Sequence, residues 1–473
     1  MNKSVVIIGG GIAGLTVAFR LKKAGLDVTL FESGSRVGGV MFSTEEDGYL
    51  AETGPNTILE TSPKVTGIVS DLGLDGEKIY ANEASKIRFI VKDRKPVPLP
   101  LSPLSFFKSP LFSKGAKLRL LKEPFIEAWD NQYEESLSQF VVRRLGQEFL
   151  DYAINPFVAG VYAGEPDHLS VRHALPKLYQ LEQKYGSLIK GQIFGAKERK
   201  KREETSKQRA RMFSFLHGLK TLPEAFQKAL GDSIQKDTTV NDVTPMKVGW
   251  WVHYKKGNNT TKTVTTDFIV YAGTAFGLKE MTLAKQSKDD FVFFQKIYHP
   301  PVAVLVLGFK REDVDHPLEG FGMLIPKVED FHTLGVLFSS TLFPNRAPRG
   351  YVTLTIFIGG SRQPENALKS EPELIDMALA DMSTLLGVRS KPTFVEHTFW
   401  EQAIPQYDVG FGTFKEKLND LEKQYPGLYF AGNYRNGISV ADTIVNAHET
   451  SERIINQVRP SPTPKRVGER TIV

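Results

Sequence analysis

The chain has 473 residues, of which 41% are hydrophobic and 24% are charged, and this balance predicts a globular protein of two or three domains. The absence of cysteine excludes disulfides, cysteine-ligated zinc, iron–sulfur clusters and a cysteinyl-linked flavin. The nine histidines are scattered without an H-E-x-x-H pattern, and the apolar runs are far shorter than the ~20 residues that span a bilayer. We therefore expect no metal site, no transmembrane helix and no targeting segment.

The formal charge of +6 is concentrated in one stretch near the middle of the chain. Residues 190–211 hold nine basic and three acidic side chains, an excess equal to the whole net charge. Such a stretch can serve nucleic acid, anionic lipid or simple solvation, and all three remain open from composition. Within it, residues 200–211 are predicted to form a charged helix or linker.

The N-terminal residues predict a strand, a glycine turn and a helix. Residues 5–8 form a β-branched run typical of a strand buried on both faces. Gly9, Gly11 and Gly14 then match G-x-G-x-x-G, and residues 15–24 have helical spacing. In this motif the glycines permit a tight turn, a close approach by pyrophosphate and close helix–strand packing. The free N–H groups at the helix N-terminus favour a phosphate.

An acidic residue and a second glycine pair extend this fingerprint. Residues 28–31 predict the second strand, and Glu32 ends it, 18 residues beyond Gly14, where a carboxylate can accept ribose hydroxyls. The loop that follows has an arginine and paired glycines, which suit a pyrophosphate and favour FAD over NAD. The predicted cofactor contacts in this region are Gly9, Gly11, Ile12, Ala13, Gly14, Glu32, Ser33, Arg36, Gly38 and Gly39.

Between residues 49 and 162 the pattern changes from strands to helices. We predict a strand that ends in a turn at 49–56, a helix at 63–74 and a hairpin at 86–100. Helical periods follow from 101 to 162. Residues 104–114 mix Phe with Lys, a composition typical of an interfacial membrane element, although packing against the protein's own core explains it equally well.

The second half predicts a return to the first sheet, a second sheet and a closing helix. These elements are strands at 240–244, 250–254 and 267–273, strands at 301–309, 335–338 and 351–359, a helix at 372–386, a strand at 427–433 and a helix at 441–458. We expect an α/β fold, mixed α+β in detail, with a Rossmann-like FAD-binding domain, an inserted mixed-sheet substrate domain and a mainly helical, membrane-associated domain. The boundaries are 1–84, 213–286 and 425–460 for the first, 85–100 and 287–424 for the second, 101–212 for the third, and 461–473 for a disordered tail.

Further motifs lie outside the glycine fingerprint. They are Glu-Thr-Gly-Pro-Asn at 52–56, Gly-Val-Tyr-Ala-Gly at 160–164, the segments 317–326, 333–340 and 357–362, and the segments 403–407 and 432–442. Together they resemble the protoporphyrinogen oxidase family, FAD enzymes of late haem synthesis within the monoamine-oxidase-like flavoproteins. The resemblance covers nearly the full chain.

The resemblance implies roles for six residues around the substrate. Asn56 would hold the reacting carbon near the flavin, and the backbone of Gly160 would lie against the flat macrocycle, which makes these two the catalytic positions. Arg88 would bind a propionate by bidentate pairing. The walls of the ring pocket would be Leu324 and Leu337 on one side and Phe357 on the other. The residues alone allow other interpretations. Asn56 is equally a turn residue, and Arg88 is equally an exposed hairpin residue. Leu324, Leu337 and Phe357 are equally plain core residues.

The same resemblance adds flavin contacts far from the glycine fingerprint. The helix after residue 437 would point its N-terminus at the flavin, where its dipole stabilises negative charge. The implied contacts are Gly54, Pro55, Asn56, Val243, Trp400, Gly432, Asn433, Ile438, Ser439 and Val440. Bound in this way, the FAD would be non-covalent.

The activity implied is a six-electron oxidation of protoporphyrinogen IX to protoporphyrin IX in three flavin cycles, with O2 reduced to H2O2. No general base is assigned. The alternatives are coproporphyrinogen III, whose branch of the family generally lacks an arginine at position 88, an amine or a carotenoid, or a non-catalytic lipid or prenyl carrier on the same fold.

The resemblance also implies partners and a location. We expect a homodimer, no nucleic acid partner, and a cytoplasmic protein bound peripherally to the inner face of the cell membrane through residues 102–129. A contact with ferrochelatase is compatible with that location.

Overall fold

The computed structural model describes residues 3–129, 133–195, 210–257, 260–283 and 289–458. The predicted tail at 461–473 and most of the predicted linker at 200–211 lie outside these ranges. No helix in the part of the chain described here is long and apolar enough to cross a bilayer.

The strands in these ranges are, in chain order, β1 (Ser4–Ile8), β2 (Asp27–Phe31), β3 (Ser43–Glu46), β4 (Tyr49–Glu52), β5 (Ile58–Leu59), β6 (Lys78–Tyr80), β7 (Arg88–Lys92), β8 (Lys95–Pro98), β9 (Met212–Phe215), β10 (Ile234–Gln235), β11 (Thr238–Pro245), β12 (Trp250–Lys256), β13 (Lys262–Thr266), β14 (Phe268–Tyr271), β15 (Thr282–Leu283), β16 (Val302–Lys310), β17 (Gly322–Leu324), β18 (Thr333–Leu337), β19 (Tyr351–Gly359), β20 (Phe394–Trp400) and β21 (Leu428–Phe430).

The α-helices are α1 (Ile12–Lys23), α2 (Pro63–Asp71), α3 (Pro103–Lys108), α4 (Lys114–Leu120), α5 (Leu137–Arg144), α6 (Gln147–Phe149), α7 (Asn155–Tyr162), α8 (Val171–Ala174), α9 (Pro176–Tyr185), α10 (Leu188–Phe194), α11 (Thr221–Leu230), α12 (Asp289–Val292), α13 (Ser339–Leu342), α14 (Glu371–Leu386), α15 (Gly412–Gln424) and α16 (Val440–Val458). A single π-helical turn, Leu150–Ile154, precedes α7.

A five-stranded sheet in the order β10-β2-β1-β14-β21 contains the N-terminal strand, and all its pairings are parallel. Val5 and Ile7 face a helical layer that includes α1 and α16. On the opposite face, Val6 joins a core shared with the sheet β13-β12-β11-β15. The parallel sheet is therefore covered on both faces, as its continuous apolar strands predict.

The ends of several helices follow from local chemistry. Helix α2 ends at Asp71, three residues before the predicted end, because Gly73 adopts a positive φ of 74° and turns the chain away. Helix α14 begins at Glu371, where Ser370 and Glu373 form a capping box. The sequence pattern placed the core of both helices correctly and missed only their terminal residues.

The second sheet has seven strands in the order β20-β16-β19-β18-β17-β7-β8. Its pairings are antiparallel apart from β17 with β7. Leu305 and Leu307 of β16 point to the face that packs against Leu374 and Met382 of α14. The predicted second sheet is confirmed, and the hairpin at 86–100 joins it as β7 and β8. Strands β17 and β20 were not predicted from the sequence.

The helices between residues 103 and 194 are tied together by a buried ionic network. Arg144 is fully buried, and its Nε lies 2.6 Å from Oε1 of Glu182. Its Nη1 donates to Oε1 of Glu123 at 3.2 Å, and Glu123 also accepts the N–H of Leu188 at 2.8 Å. Removing one partner would leave a buried charge uncompensated, so this network constrains α5, α9 and α10 together.

Candidate functional site

The turns that follow the parallel strands all emerge at one edge of the five-stranded sheet. Because β1, β2, β14 and β21 run in the same direction, their carboxyl ends lie side by side. The segments that leave this edge begin at Gly9, Glu32, Ala272 and Ala431. Ligands of open parallel sheets bind outside the carboxyl ends of the strands, so this edge is the candidate cofactor site.

The first glycine turn is packed too tightly for other residues at two positions. Gly9 has a φ of 108°, and a Cβ on it would lie 2.8 Å from the nitrogen of Gly273. A Cβ on Gly14 would lie 1.9 Å from the carbonyl oxygen of Gly9. At Gly11, by contrast, a Cβ would meet no atom within 4 Å. Gly9 and Gly14 therefore close the turn itself, while Gly11 borders open space.

The first turn of α1 is available to an anion. Gly11 is the N-cap residue, and no side chain caps the helix. The predicted contacts Ile12 and Ala13 form the first two residues of α1, ahead of the predicted start at residue 15. The uncapped N–H groups and the helix dipole at this terminus suit a phosphate group.

The second glycine loop lies directly against the first. The N–H of Gly38 donates to the carbonyl of Gly10 at 2.8 Å, and Gly38 also forms a β-bridge with Gly11. A Cβ on Gly39 would lie 3.4 Å from the Cα of Gly11. The two predicted glycine motifs are thus brought into one cradle, as the FAD hypothesis requires.

Glu32 stands at the centre of this cradle. One carboxylate oxygen accepts the N–H of Gly10 at 2.6 Å, and the other accepts the N–H of Gly34 at 2.7 Å. Ser33 and Arg36 are exposed beside it, and the Arg36 guanidinium lies 4.7 Å from the ring centre of Phe42. An acidic side chain next to two glycine loops and a helix N-terminus fits the adenine dinucleotide half of FAD.

The turn at residues 53–56 connects the cradle to the second sheet. Thr53 donates its N–H and its hydroxyl to the carbonyl of Phe42, and a Cβ on Gly54 would lie 2.2 Å from the carbonyl oxygen of Val40. On the other side, Nε1 of Trp400 in β20 donates to the carbonyl of Thr53 at 2.8 Å. Pro55 and Asn56, both partly exposed, are therefore held between the glycine cradle and the seven-stranded sheet.

The C-terminal turn adds a further side to the cofactor site. Ala431 extends β21 by donating to the carbonyl of Tyr271, and Gly432 and Asn433 follow. The Tyr407 hydroxyl donates to the Asn433 carbonyl. Ile438, Ser439 and Val440 are partly exposed at the start of α16, which packs along α1.

Val243 stands apart from the other predicted cofactor contacts. It lies inside β11, paired with Val252 and Leu283, and has no exposed surface. Strand β11 nevertheless begins beside the site, because Thr238 donates its N–H to the carbonyl of Glu32. The structure therefore places the strand, but not the Val243 side chain, next to the cradle.

The predicted substrate residues share one face of the seven-stranded sheet. Arg88 pairs with Gly322, which pairs with Leu337. In the next row, Leu324 pairs with Gly335, which pairs with Phe357. Directly paired residues point to the same side of a sheet. Arg88, Leu324, Leu337 and Phe357 therefore project away from the α14 layer.

This face is incompletely covered, unlike the opposite one. In β17, β18 and β19 every residue is buried except Leu324, Leu337, Phe357 and Tyr351, the last of which begins its strand. The three remaining partly exposed residues are the predicted wall residues. Apolar side chains left open in the middle of a sheet suit a large apolar ligand.

Helix α7 lies across this face and carries Gly160. A Cβ on Gly160 would lie 2.4 Å from Cδ2 of Leu324, so a larger residue there would displace the Leu324 side chain. Ala159 of the same helix packs in one cluster with Phe357 and Trp400. Helix α7 thus contacts both the predicted substrate residues and Trp400, which holds the turn at residues 53–56.

The structure adds residues that the sequence did not single out. Phe157 and Val161 are exposed on the same side of α7 as Gly160, at the i, i+3, i+4 spacing of one helical face. That spacing was visible in the sequence. Phe321 was not detectable in this way. Its ring centre lies 5.3 Å from the Arg88 guanidinium, and only the pairing of β7 with β17 brings the two residues together.

Arg88 is a partly buried cation, and no charged side chain among the described residues pairs with it. Burial lowers the pKa of its guanidinium, and no charged neighbour offsets this effect. Lys92, which shares this face of β7, is engaged by the carbonyl of Leu111 at 2.8 Å and by Glu148 at 3.5 Å. Arg88 is therefore poised to receive an anionic group from a ligand.

A cavity lies outside this face. It has a volume of about 790 Å³ and lies beside α5 and α7. Its charged lining is mostly acidic: Glu134, Glu135, Asp151, Glu165 and Asp167, against Arg143 and Lys327. Since this lining would repel a ligand that carries carboxylates, the sheet face at Arg88 is the better substrate site.

Comparisons with known proteins agree with this geometry. The family described as "Flavin containing amine oxidoreductase" matches residues 12–455. Protoporphyrinogen oxidase 2, chloroplastic/mitochondrial, from Arabidopsis thaliana is 36% identical over 99% of this chain and 97% of its own length. The mitochondrial protoporphyrinogen oxidase of Nicotiana tabacum is 35% identical over 98% and 96%. Coproporphyrinogen III oxidase of Bacillus subtilis (strain 168) is 29% identical over 94% and 96%.

Solved structures show the same fold. A crystal structure from Exiguobacterium sp. 255-15, provisionally named a protoporphyrinogen oxidase, matches with a TM-score of 0.79 and 22% identity over 97% of this chain and 99% of its own. Reduced UDP-galactopyranose mutase matches with a TM-score of 0.72 and 15% identity over 96% of each chain. The mixed α/β architecture is therefore that of the flavin amine oxidase fold.

An added methyl group should affect different properties at Gly11 and at Gly14, namely FAD binding at the first and stability at the second. Gly11→Ala should weaken FAD binding about tenfold or more, because its Cβ enters the open space in front of α1, while the apoprotein keeps its thermal stability. Gly14→Ala should lower the melting temperature of the apoprotein, because its Cβ collides with backbone. Fluorescence titration with FAD and thermal unfolding of the apoprotein measure both effects. Unchanged FAD affinity in Gly11→Ala would contradict this assignment.

Proposed function

This chain belongs to the family of flavin-containing amine oxidoreductases, and on that basis we propose that it oxidises protoporphyrinogen IX to protoporphyrin IX. It is an FAD-dependent oxidoreductase. In the proposed reaction the substrate loses six electrons and six protons, and three O2 become three H2O2. The observation that carries the proposal is the partly exposed apolar face that joins Leu324, Leu337, Phe357 and the unpaired Arg88.

The residues on this face would bind a flat macrocycle through different contacts. The apolar walls remove its ring surface from water. Gly160 is exposed and has no side chain, so the ring can approach the backbone of α7 beside Leu324. Arg88 receives a propionate at the rim. Bound FAD supplies the redox chemistry as hydride acceptor, and the protein contributes position and electrostatics.

Asn56 is proposed to orient the reacting carbon. Its Nδ2 donates to the carbonyl of Gly54 at 3.1 Å, which leaves its carbonyl oxygen free to face the site. The Trp400 bond to Thr53 fixes this turn relative to the substrate face. Asn56 would therefore hold its place on the border between the FAD cradle and the macrocycle.

We also propose the domain division that the sequence predicts. The parallel sheet with its two glycine loops would form a Rossmann-like FAD-binding domain from residues 1–84, 213–286 and 425–460. The seven-stranded sheet at 85–100 and 287–424 would bind the substrate. The helices at 101–212 would cover the substrate face, since α7 lies on it.

The charges at the site favour a substrate with two propionates. Arg88 is unpaired, whereas Lys92 on the same face is neutralised by Glu148. Coproporphyrinogen III, with four propionates, is the second candidate, because relatives from Bacillus subtilis and Staphylococcus aureus bear the name coproporphyrinogen III oxidase. A carboxylate buried without a cation is costly, so the two extra propionates should weaken binding.

The experiment compares the two porphyrinogens directly. Purified holoenzyme is mixed with each under air, and porphyrin fluorescence is followed against the rate without enzyme. We expect kcat/KM to be higher for protoporphyrinogen IX. A higher value for coproporphyrinogen III would favour the second candidate. Absence of turnover with both would refute the proposed function.

Arg88→Ala should raise KM for protoporphyrinogen IX about 10- to 100-fold, since a hydrogen bond to a charged group contributes about 1.5–3 kcal/mol. The effect on kcat should be smaller, because Arg88 contacts the rim of the substrate. Lys86→Ala is the matched control: it removes an exposed cation two residues away, which pairs with Glu83. If the two variants have the same KM, Arg88 does not bind a propionate.

Membrane association is proposed from a cluster of exposed apolar side chains on the helical segment. Leu111 and Phe112, inside the segment predicted to be interfacial, are buried, so part of that segment packs into the core. The rest remains open and alternates with Lys108, Lys114 and Lys122. The exposed apolar side chains, 55% to 85% accessible, are Leu101, Leu104, Phe107, Leu118, Leu121 and Phe125. Such a mixture suits an anionic membrane surface.

Replacing two of these side chains should reduce membrane binding. Leu121→Ser with Phe125→Ser should weaken binding to anionic liposomes more than tenfold, because burying each such side chain contributes about 1.5–3 kcal/mol. Leu368→Ser with Val248→Ser is the control, since both are equally exposed elsewhere. Flotation of each protein with liposomes measures the bound fraction. Equal flotation of both variants would contradict the proposal.

The remaining partners are proposed on the resemblance. The protein would form a homodimer and would lie at the cytoplasmic face of the cell membrane. It would also contact ferrochelatase, which would receive the product. The exposed apolar cluster supports the membrane location, since the substrate is itself apolar.

A further inference from the structure

Arg362 is a buried guanidinium just beyond β19, and it joins α7 to the substrate sheet. Its side chain is only 4% exposed. Nη1 donates to the carbonyl of Ile325 at 2.9 Å, and Nη2 donates to Oδ1 of Asn155 at 3.0 Å. The same Oδ1 accepts the N–H of Lys327 at 2.9 Å. The first residue of α7 is therefore tied to the end of β17 through Arg362 and Asn155.

The other end of α7 is held from the same place. The N–H of Ser361 donates to the carbonyl of Ala163, which caps α7, at 2.7 Å. Glu165 lies beyond it with one carboxylate oxygen 3.5 Å from Nε of Arg362 and the other 3.1 Å from Nζ of Lys327. Arg362 and its neighbours thus clamp both ends of the helix.

These contacts, which we call the clamp, hold the predicted substrate residues Gly160, Leu324 and Phe357 in place relative to one another. Leu324 directly precedes Ile325, whose carbonyl Arg362 holds. Phe357 lies five residues before Arg362 on β19, and Gly160 lies between the two clamped ends of α7. A shift of either end would change the distance from Gly160 to Leu324, where a single added carbon already collides.

We propose that Arg362 is a positioning residue that holds α7 against β17, and so fixes the contact between Gly160 and Leu324 at the face to which the macrocycle binds. This inference rests on the proposed function. The two Nη atoms supply the positioning, because Nε makes no hydrogen bond in the described structure and faces Glu165 through charge alone. A lysine cannot replace this fork, since its ammonium is a single point charge.

The burial of Arg362 explains why Glu165 belongs to the clamp. Burial lowers the pKa of the Arg362 guanidinium, and the charge of Glu165 opposes that effect. Glu165 is itself buried, so each ion compensates the other. Asn155 contributes a neutral acceptor. A substitution at Asn155 therefore removes one contact of the clamp without leaving a buried charge uncompensated.

The test compares Arg362→Gln and Arg362→Lys with wild-type holoenzyme on protoporphyrinogen IX. We expect KM to rise about tenfold or more in both, because small misplacements of binding groups have effects of this order. The dissociation constant of FAD should stay unchanged, since the clamp makes no contact with the glycine cradle. Asn155→Ala should raise KM in the same direction, and it decides the matter if the Arg362 variants do not fold.

Arg144→Gln is the matched control. It removes an equally buried guanidinium that also joins several segments, so it should lower the melting temperature without changing KM. Wild-type KM in the folded Arg362 and Asn155 variants would overturn the inference and leave the proposed function intact. A wild-type enzyme that turns over no porphyrinogen would overturn the proposed function first, and the inference with it.

Discussion

The hydrogen bond from Trp400 Nε1 to the Thr53 carbonyl, 2.8 Å long, joins the two halves of the site. One end belongs to β20 of the seven-stranded sheet, and the other belongs to the turn that rests on the second glycine loop. Because the indole is partly buried with Phe357 and Ala159, the bond forms beside the substrate face and is shielded from water. On the proposed function, cofactor and substrate must meet at one place, and this contact would help to fix the two halves of the site relative to each other.

The parts of the site that the sequence predicted well are local in the chain. The two glycine motifs, Glu32 and the hairpin of β7 and β8 each lie within a few residues, so spacing alone determines their geometry. Four strands of the parallel sheet, β1, β2, β14 and β21, could also be predicted, because they are continuous apolar runs. The carboxyl edge of this sheet then follows from strand direction without further information. The predicted strands at 240–244 and 250–254 do not return to this sheet, since they pair with each other in the separate sheet β13-β12-β11-β15.

The rest depends on pairings between distant segments. That Arg88, Leu337 and Phe357 share a face follows only from the register of β7, β17, β18 and β19. Strand β20 carries Trp400 at an edge of the sheet, and its mixture of Glu, His and Thr gives no continuous apolar run to detect. Arg362 ends the motif at 357–362, and only the fold brings its buried guanidinium to Asn155 at the start of α7.

The unpaired state of Arg88 connects binding with selectivity. Its guanidinium is partly removed from water, and no carboxylate of the described protein compensates for this, so the free site holds a desolvation cost that a ligand carboxylate relieves. The apolar walls attract any flat ring, but only a ring with an anionic rim gains this second contribution. On the proposed function, selection would act through the difference between ligands, because only a ligand with a carboxylate at its edge would gain the contact with Arg88. The cavity beside α5 and α7 has a mostly acidic lining, so it would disfavour an anionic substrate.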